Sequence, residues 1–190
     1  MKLNKELEYK VRMEALKYLM HGKPGWDVPH TYNAVRWMRK LIEKEGGNEK
    51  ILVTAMYLHD IGYPILRKGY NFKELITSKE GHAEKGAKIA KKILFKLKGF
   101  TTDEIEEIVY LIKNHSDHHN VKEFNRKMVM DADGLSMLDW EVCLPTLDKK
   151  GAKEFLAKYF KEERSPDRWN TKTGKKYLNI LYKKALNYWD

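Results

Sequence analysis

A core segment that ends in a histidine next to an aspartate restricts the folds open to this chain more than any other feature in it. Residues 53–64, VTAMYLHDIGYP, are apolar as far as His59 and Asp60, after which a glycine and a proline stop the run. At helical spacing Leu52, Ala55, Met56 and His59 share one face. Four other apolar stripes carry a polar group in the same way. His30 continues Ala34, Trp37 and Leu41, and His82 continues Gly86, Ile89 and Ile93. His115 continues Ile105, Ile108 and Ile112, and Asp133 lies with Val129, Met130 and Met137. Five helices are thus expected to deliver one polar group each to the interior, and His59 brings Asp60 with it.

A single histidine on an apolar stripe is most often a hydrogen-bonded core residue. Buried carboxylates are different, because each one left unpaired costs several kcal/mol. No Lys or Arg stands on the inner stripes of the same helices to neutralise Asp60 or Asp133. A divalent cation would supply positive charge to the carboxylates and a Lewis acid to the imidazoles. Imidazoles and carboxylates without thiolates suit Mn, Fe, Co, Ni or Zn, and the donors suffice for two ions. Cys143 is the only cysteine, so a disulfide framework and a Cys-rich zinc site are both excluded, which fits a reducing compartment.

The rest of the chain reads as all-α. Helices are expected over about residues 3–21, from near His30 to the Gly46-Gly47 stop, and over 48 to about 60, 82–98, 101–115 and 122–140, with Thr102 or Asp103 capping the fifth. Residues 61–81 read as a long irregular loop. Residues 147–164 and 171–189 read as two further amphipathic helices, divided at Ser165-Pro166. No linker or repeat divides the 190 residues, which implies one domain over 1–190 with a core at 26–140 and a helical extension at 145–190. The N-terminus is charged throughout and no apolar run approaches the roughly 20 residues of a membrane span, so a cytoplasmic protein is expected. The net charge of +10 allows attraction to phosphates, but the lysines alternate with acids at helical spacing, as on a solvated helix face.

The ordered series His30, His59-Asp60, His82, His115 and Asp133 resembles the HD superfamily of metal-dependent phosphohydrolases. The similar segments are WDVPHTYNAVRWM, MYLHDIGYP, GHAEKGAKIAKKIL, LIKNHSDHH and MDADGLSML. The resemblance implies a helical bundle with additional C-terminal helices, in which His30, His59, Asp60 and Asp133 ligate one metal. It also implies that Asp60 bridges to a second ion held by His82 and His115. Asp133 is preferred to Asp131 as the ligand because ADGL matches the family pattern, which leaves Asp131 a supporting or helix-start role.

The implied reaction is hydrolysis of a phosphoester or phosphoanhydride of a nucleotide or another small phosphorylated substrate by a metal-bound hydroxide, with Asp60, His82 and His115 at its centre. Relatives often carry a phosphate-binding Lys soon after the HD pair, where this chain has Tyr63 and Pro64. Arg67, Lys68 and Lys85 are the substitutes on offer for substrate phosphate, and His118 and His119 for leaving-group protonation or substrate contact. Gly134 stands where many relatives carry Arg. The alternatives are an HD-fold di-iron oxygenase with the same ligands, or a non-catalytic nucleotide- or RNA-binding module. Nucleic acid is not the favoured partner, and homo-oligomer formation is left open.

Overall fold

The computed structural model describes residues 2–63, 72–118, 121–157 and 171–188. These residues form α1 (Lys5–Leu19), α2 (Asp27–Glu45), α3 (Glu49–Leu58), α4 (Phe72–Ser78), α5 (His82–Leu97), α6 (Thr102–Lys113), α7 (Phe124–Leu138), α8 (Lys149–Glu154) and α9 (Lys172–Leu186), with no strand among them. Among the described residues no helix is long and apolar enough to cross a membrane.

The centre of the bundle follows from composition. From Ile51 to Leu58 every residue of α3 is buried, and the hydroxyls of Thr54 and Tyr57 are the only polar side-chain groups among them. A helix apolar on all sides can only be stable when surrounded. Accordingly α1, α2, α5, α6 and α7 all pack on α3. Leu52 and Met56 within it and Ile108, Leu111, Ile112, Met128 and Leu135 around it are fully buried, and truncating any of them to Ala would cost about 2–5 kcal/mol.

Local chemistry sets the boundaries. Asn4 accepts the Leu7 N–H at 2.8 Å and caps α1. At α6 the cap is Thr101, one residue before the two expected. Its hydroxyl accepts the Glu104 N–H while the Glu104 carboxylate accepts the Thr101 N–H, a reciprocal pair that neither Thr102 nor Asp103 can make from inside the first turn. Two further expectations need correction. The stretch expected to be irregular contains α4, a short helix whose Thr77 hydroxyl donates back to the Lys73 carbonyl. Helix α2 begins three residues before His30, because Asp27 folds back to accept the Lys23 N–H at 2.9 Å.

Helix α2 lies along α7 and is held at two points, in its first turn and near its middle. Ser136 bonds to His30 in the first turn, and near the middle the Trp37 indole N–H donates to Asp139 at 2.9 Å, with Arg36 paired to the same carboxylate. Helix α9 packs on α7 and α2. Its N-terminal Thr171 N–H donates to the Asp131 carboxylate at 3.1 Å, so Asp131 has the helix-start position anticipated for it, at a helix other than its own. Gly174 permits this approach, since a Cβ there would overlap the Asp131 carboxyl group.

Candidate metal centre

Helix ends bring the polar groups together. His30 is in the first turn of α2, His59 caps the C-terminus of α3 with Asp60 next, His82 opens α5, His115 follows α6, and Asp133 comes from the middle of α7. All six side chains are buried, none more than 4% exposed. They fall into two groups whose donor atoms lie within 4.8 Å of one another: His30, His59 and Asp133, and Asp60, His82 and His115.

Asp60 faces both groups. Its Oδ2 lies 3.5 Å from His30 Nε2 and 3.3 Å from His59 Nε2, while its Oδ1 lies 3.7 Å from His82 Nε2 and 3.4 Å from His115 Nε2. Asp133 Oδ1 completes the first group at 3.1 Å from His30 and 3.6 Å from His59.

The backbone selects the imidazole tautomers. His59 Nδ1 donates to the Met56 carbonyl at 2.8 Å, His82 Nδ1 to Lys79 at 2.5 Å and His115 Nδ1 to Ile112 at 2.7 Å. For His30 the donor is settled by counting protons. The Ser136 hydroxyl donates its one proton to the His30 carbonyl at 2.8 Å, so the 3.1 Å contact between Ser136 Oγ and His30 Nδ1 must carry the proton from Nδ1. In each neutral ring the bare nitrogen is therefore Nε2, which points inward. The Nε2 atoms meet in pairs, His30 with His59 at 3.2 Å and His82 with His115 at 3.1 Å. Between two neutral rings such facing lone pairs would repel each other, whereas two nitrogens about 2.1 Å from a shared tetrahedral or octahedral ion stand about 3.0–3.4 Å apart. The donor set thus fits a first-row divalent ion at each pair, with outer hydrogen bonds of the kind that orient metal-binding histidines.

This arrangement makes Ser136 a test of the first pair. Ser136→Ala removes the acceptor that fixes the His30 ring, and we expect affinity for Mn or Co to fall about 10- to 100-fold. Equilibrium metal titration checks it, and an unchanged affinity would remove Ser136 from the centre.

Without a metal, protons hold the charges apart. Burial alone would lower the His59 pKa, but Asp60 and Asp133 outweigh it and raise the value to about 10. Burial and the neighbouring His115 bring His82 down to about 4. Burial disfavours the charged form of Asp60, yet His59, His115 and Lys23 together hold its carboxyl well below the usual carboxylate range. At neutral pH the metal-free His59 is an imidazolium, and an ion that binds its Nε2 must displace that proton. Apparent affinity should therefore rise about tenfold per pH unit from pH 7 towards 10 and level off above. Calorimetry in buffers of different ionisation enthalpy would detect the released proton, and a buffer-independent heat would contradict it.

Several neighbours of the centre were not foreseen. Trp26 stacks on His30 with ring centroids 5.4 Å apart, and Tyr63 stacks on His82 at 4.1 Å. Lys23, from the turn between α1 and α2, is 4% exposed and sits 3.8 Å from Asp27 Oδ1 and 3.2 Å from the centroid of the Tyr63 ring. Burial pushes the Asp27 carboxyl up to about 6. A lysine between Gly22 and Pro24 reads as solvated in sequence, and only its contacts reveal it. Of the residues expected to meet substrate, Lys85 is exposed on α5 and His118 is half-buried beyond α6, while Arg67, Lys68 and His119 lie outside the described residues.

Comparison with known proteins bears on the fold and the lineage. A predicted HD superfamily hydrolase from an uncultured Thermotogales bacterium is similar over 97% of this chain and 87% of its own, with TM-score 0.61 and 22% identity. Bacillus subtilis YpgQ in complex with ADP is similar over 95% and 93%, with TM-score 0.62 and 17% identity. At such identities the likeness is one of fold. No curated protein matches the chain. The HD domain family model matches residues 28–138, from the first turn of α2 to the end of α7, and so takes in every histidine and aspartate of the two groups. By that match, over more than half of its length, the chain belongs to the HD domain family.

Proposed function

We propose that this protein is a metal-dependent phosphohydrolase that cleaves a phosphoester or phosphoanhydride of a nucleotide or another small phosphorylated substrate at a binuclear centre. The observation that carries the reading is the Asp60 carboxylate, with one oxygen towards His30 and His59 and the other towards His82 and His115. Such a carboxylate suits two ions sharing one bridge. When bound, divalent ions would polarise the phosphoryl group and make water a nucleophile near neutral pH, so no side-chain nucleophile is needed.

The chain's own part is to hold and to shield. His30, His59 and Asp133 would hold one ion, His82 and His115 the other, and the Nδ1 hydrogen bonds keep each ring from turning. Trp26 and Tyr63 cover His30 and His82 with flat apolar faces, which excludes bulk water and strengthens the electrostatic interactions within. The ADP in the structure of YpgQ supports a nucleotide as the first substrate class to try.

The experiment is metal analysis of protein purified without chelators, followed by assay of nucleoside mono-, di- and triphosphates with Mn or Co in the presence and absence of oxygen. Oxygen-independent release of phosphate or pyrophosphate is expected. Turnover that requires iron and oxygen would replace hydrolysis with oxygenase chemistry on the same ligands.

A further inference from the structure

Next to the metal centre the chain encloses a cleft of about 470 Å³, part of it open to solvent, which is within the roughly 300–1,000 Å³ of small-molecule sites. Two of its lining side chains touch the centre itself. Trp26 stacks on His30 and Tyr63 on His82, so a ligand in the cleft is one aromatic ring away from each group of metal donors. Most of the remaining apolar wall comes from the segment beyond α7, through Trp140, Leu147 and Phe155. These three follow the residues 28–138 matched by the HD domain family, so the family core supplies the centre and the C-terminal extension supplies the wall.

The wall is fixed before any ligand arrives. The Trp140 indole N–H donates to the Met137 carbonyl at 2.9 Å, and the Tyr188 ring meets Trp140 edge-on. Rings held in this way lose little freedom when a flat group stacks on them. A purely apolar ligand would not complete the cleft, because Lys23 also lines it. That side chain is 4% exposed, and its ammonium makes no hydrogen bond to any described residue, with Asp27 Oδ1 3.8 Å away. Buried N–H donors without acceptors are costly, and an anionic oxygen of a ligand would supply one. A ligand that meets both demands is flat and aromatic in one part and anionic in another.

We propose that this cleft holds the nucleobase of the substrate, with Trp140 and Phe155 of the C-terminal extension as the residues that select for it. The inference rests on the phosphohydrolase reading and narrows its substrates from small phosphorylated compounds in general to nucleotides. The metal centre engages the phosphates, and the extension after α7 decides what they are attached to.

The test compares two probes that share a pair of bridged phosphorus atoms and differ in the nucleoside. One is the analogue of ADP with a methylene group between its phosphorus atoms, and the other is methylenediphosphonate. Each is titrated calorimetrically, with Mn present, into the wild type, Trp140→Ala, Phe155→Ala and, as a control, Phe95→Ala on the exposed side of α5. The wild type should bind the nucleoside probe at least tenfold more tightly than methylenediphosphonate. Trp140→Ala and Phe155→Ala should each weaken the nucleoside probe about tenfold, the scale of one base stacked on an aromatic ring. Methylenediphosphonate should bind all four proteins alike, which a merely structural role for these rings would not allow. If Trp140→Ala does not fold, Phe155→Ala and the wild-type comparison decide the matter. Equal affinity of the wild type for the two probes, or a Phe155→Ala variant that changes both affinities together or neither, would overturn the base cleft and leave the phosphohydrolase reading standing. A wild type that binds neither probe would overturn that reading together with the cleft.

Discussion

Asp60→Asn is expected to lose both metal ions and all measurable hydrolysis while keeping its helical content. The substitution is nearly isosteric, so the packing of α3 against its neighbours survives, but the one group that faces all four Nε2 atoms is no longer an anion. Each ion would then be left with two imidazoles, and the first group with Asp133 as well. We expect a loss of turnover of about a thousandfold or more, the scale on which removal of a principal catalytic group acts. A second readout is independent of activity. In the metal-free protein the His59 pKa of about 10 depends on Asp60 and Asp133 against the opposing effect of burial. Removal of the Asp60 charge should move it down, visible in an NMR titration of the imidazole. Full metal content in this variant would refute the bridge.

The second large effect is expected at a residue without a side chain, Gly62. A Cβ built there would overlap the His82 carbonyl oxygen and the Gly86 amide nitrogen, and would fall 2.8 Å from Gly86 Cα. All three are backbone atoms of α5, so no rotamer change can relieve the overlap. The segment after α3 would have to part from the first turn of α5. Gly62→Ala should destabilise the fold by about 3 kcal/mol or more, at the upper end of overpacking effects. For a chain of this size that lowers Tm by roughly 6–12 °C. Because His82 opens α5, the same shift should release the ion of the second group first. Metal analysis would then give close to half of the wild-type content in whatever fraction remains folded. A Tm and metal content equal to wild type would show that the two backbones are not in contact.

Those two residues mark the limits of what could be read before the structure. Asp60 was legible because burial of a carboxylate at the end of an apolar helix is expensive, and the other candidate donors stood at inward positions of recognisable helical stripes. Gly62 was not, since a glycine after a helix reads as a stop signal and its real neighbour lies in another helix more than twenty residues on. Position along a stripe also misjudged details. His115 was assigned to the apolar face of a helix, yet α6 ends at Lys113 and the turn beyond it presents the ring. The α6 cap was missed by one residue because Thr101, Thr102 and Asp103 are all able to cap, and only the reciprocal bond with Glu104 distinguishes them. Lys23 and Asp27 escaped notice for a different reason. Glycines and a proline around Lys23 suggest a solvated loop, whereas the Asp27 carboxylate folds that loop into the interior.

Trp26 gives the centre an optical signature. Its indole lies nearly parallel to the His30 ring, 12° from coplanar, so an ion on His30 Nε2 would sit a single imidazole away from the fluorophore. Ions with partly filled d shells accept excitation energy at such range, while Zn does not. Titration with Co or Ni should therefore darken the emission of Trp26 and leave that of Trp37, packed against Tyr177 and bonded to Asp139, nearly as bright. An ion confined to His82 and His115 would quench less, so the order in which the two groups fill becomes readable from light alone.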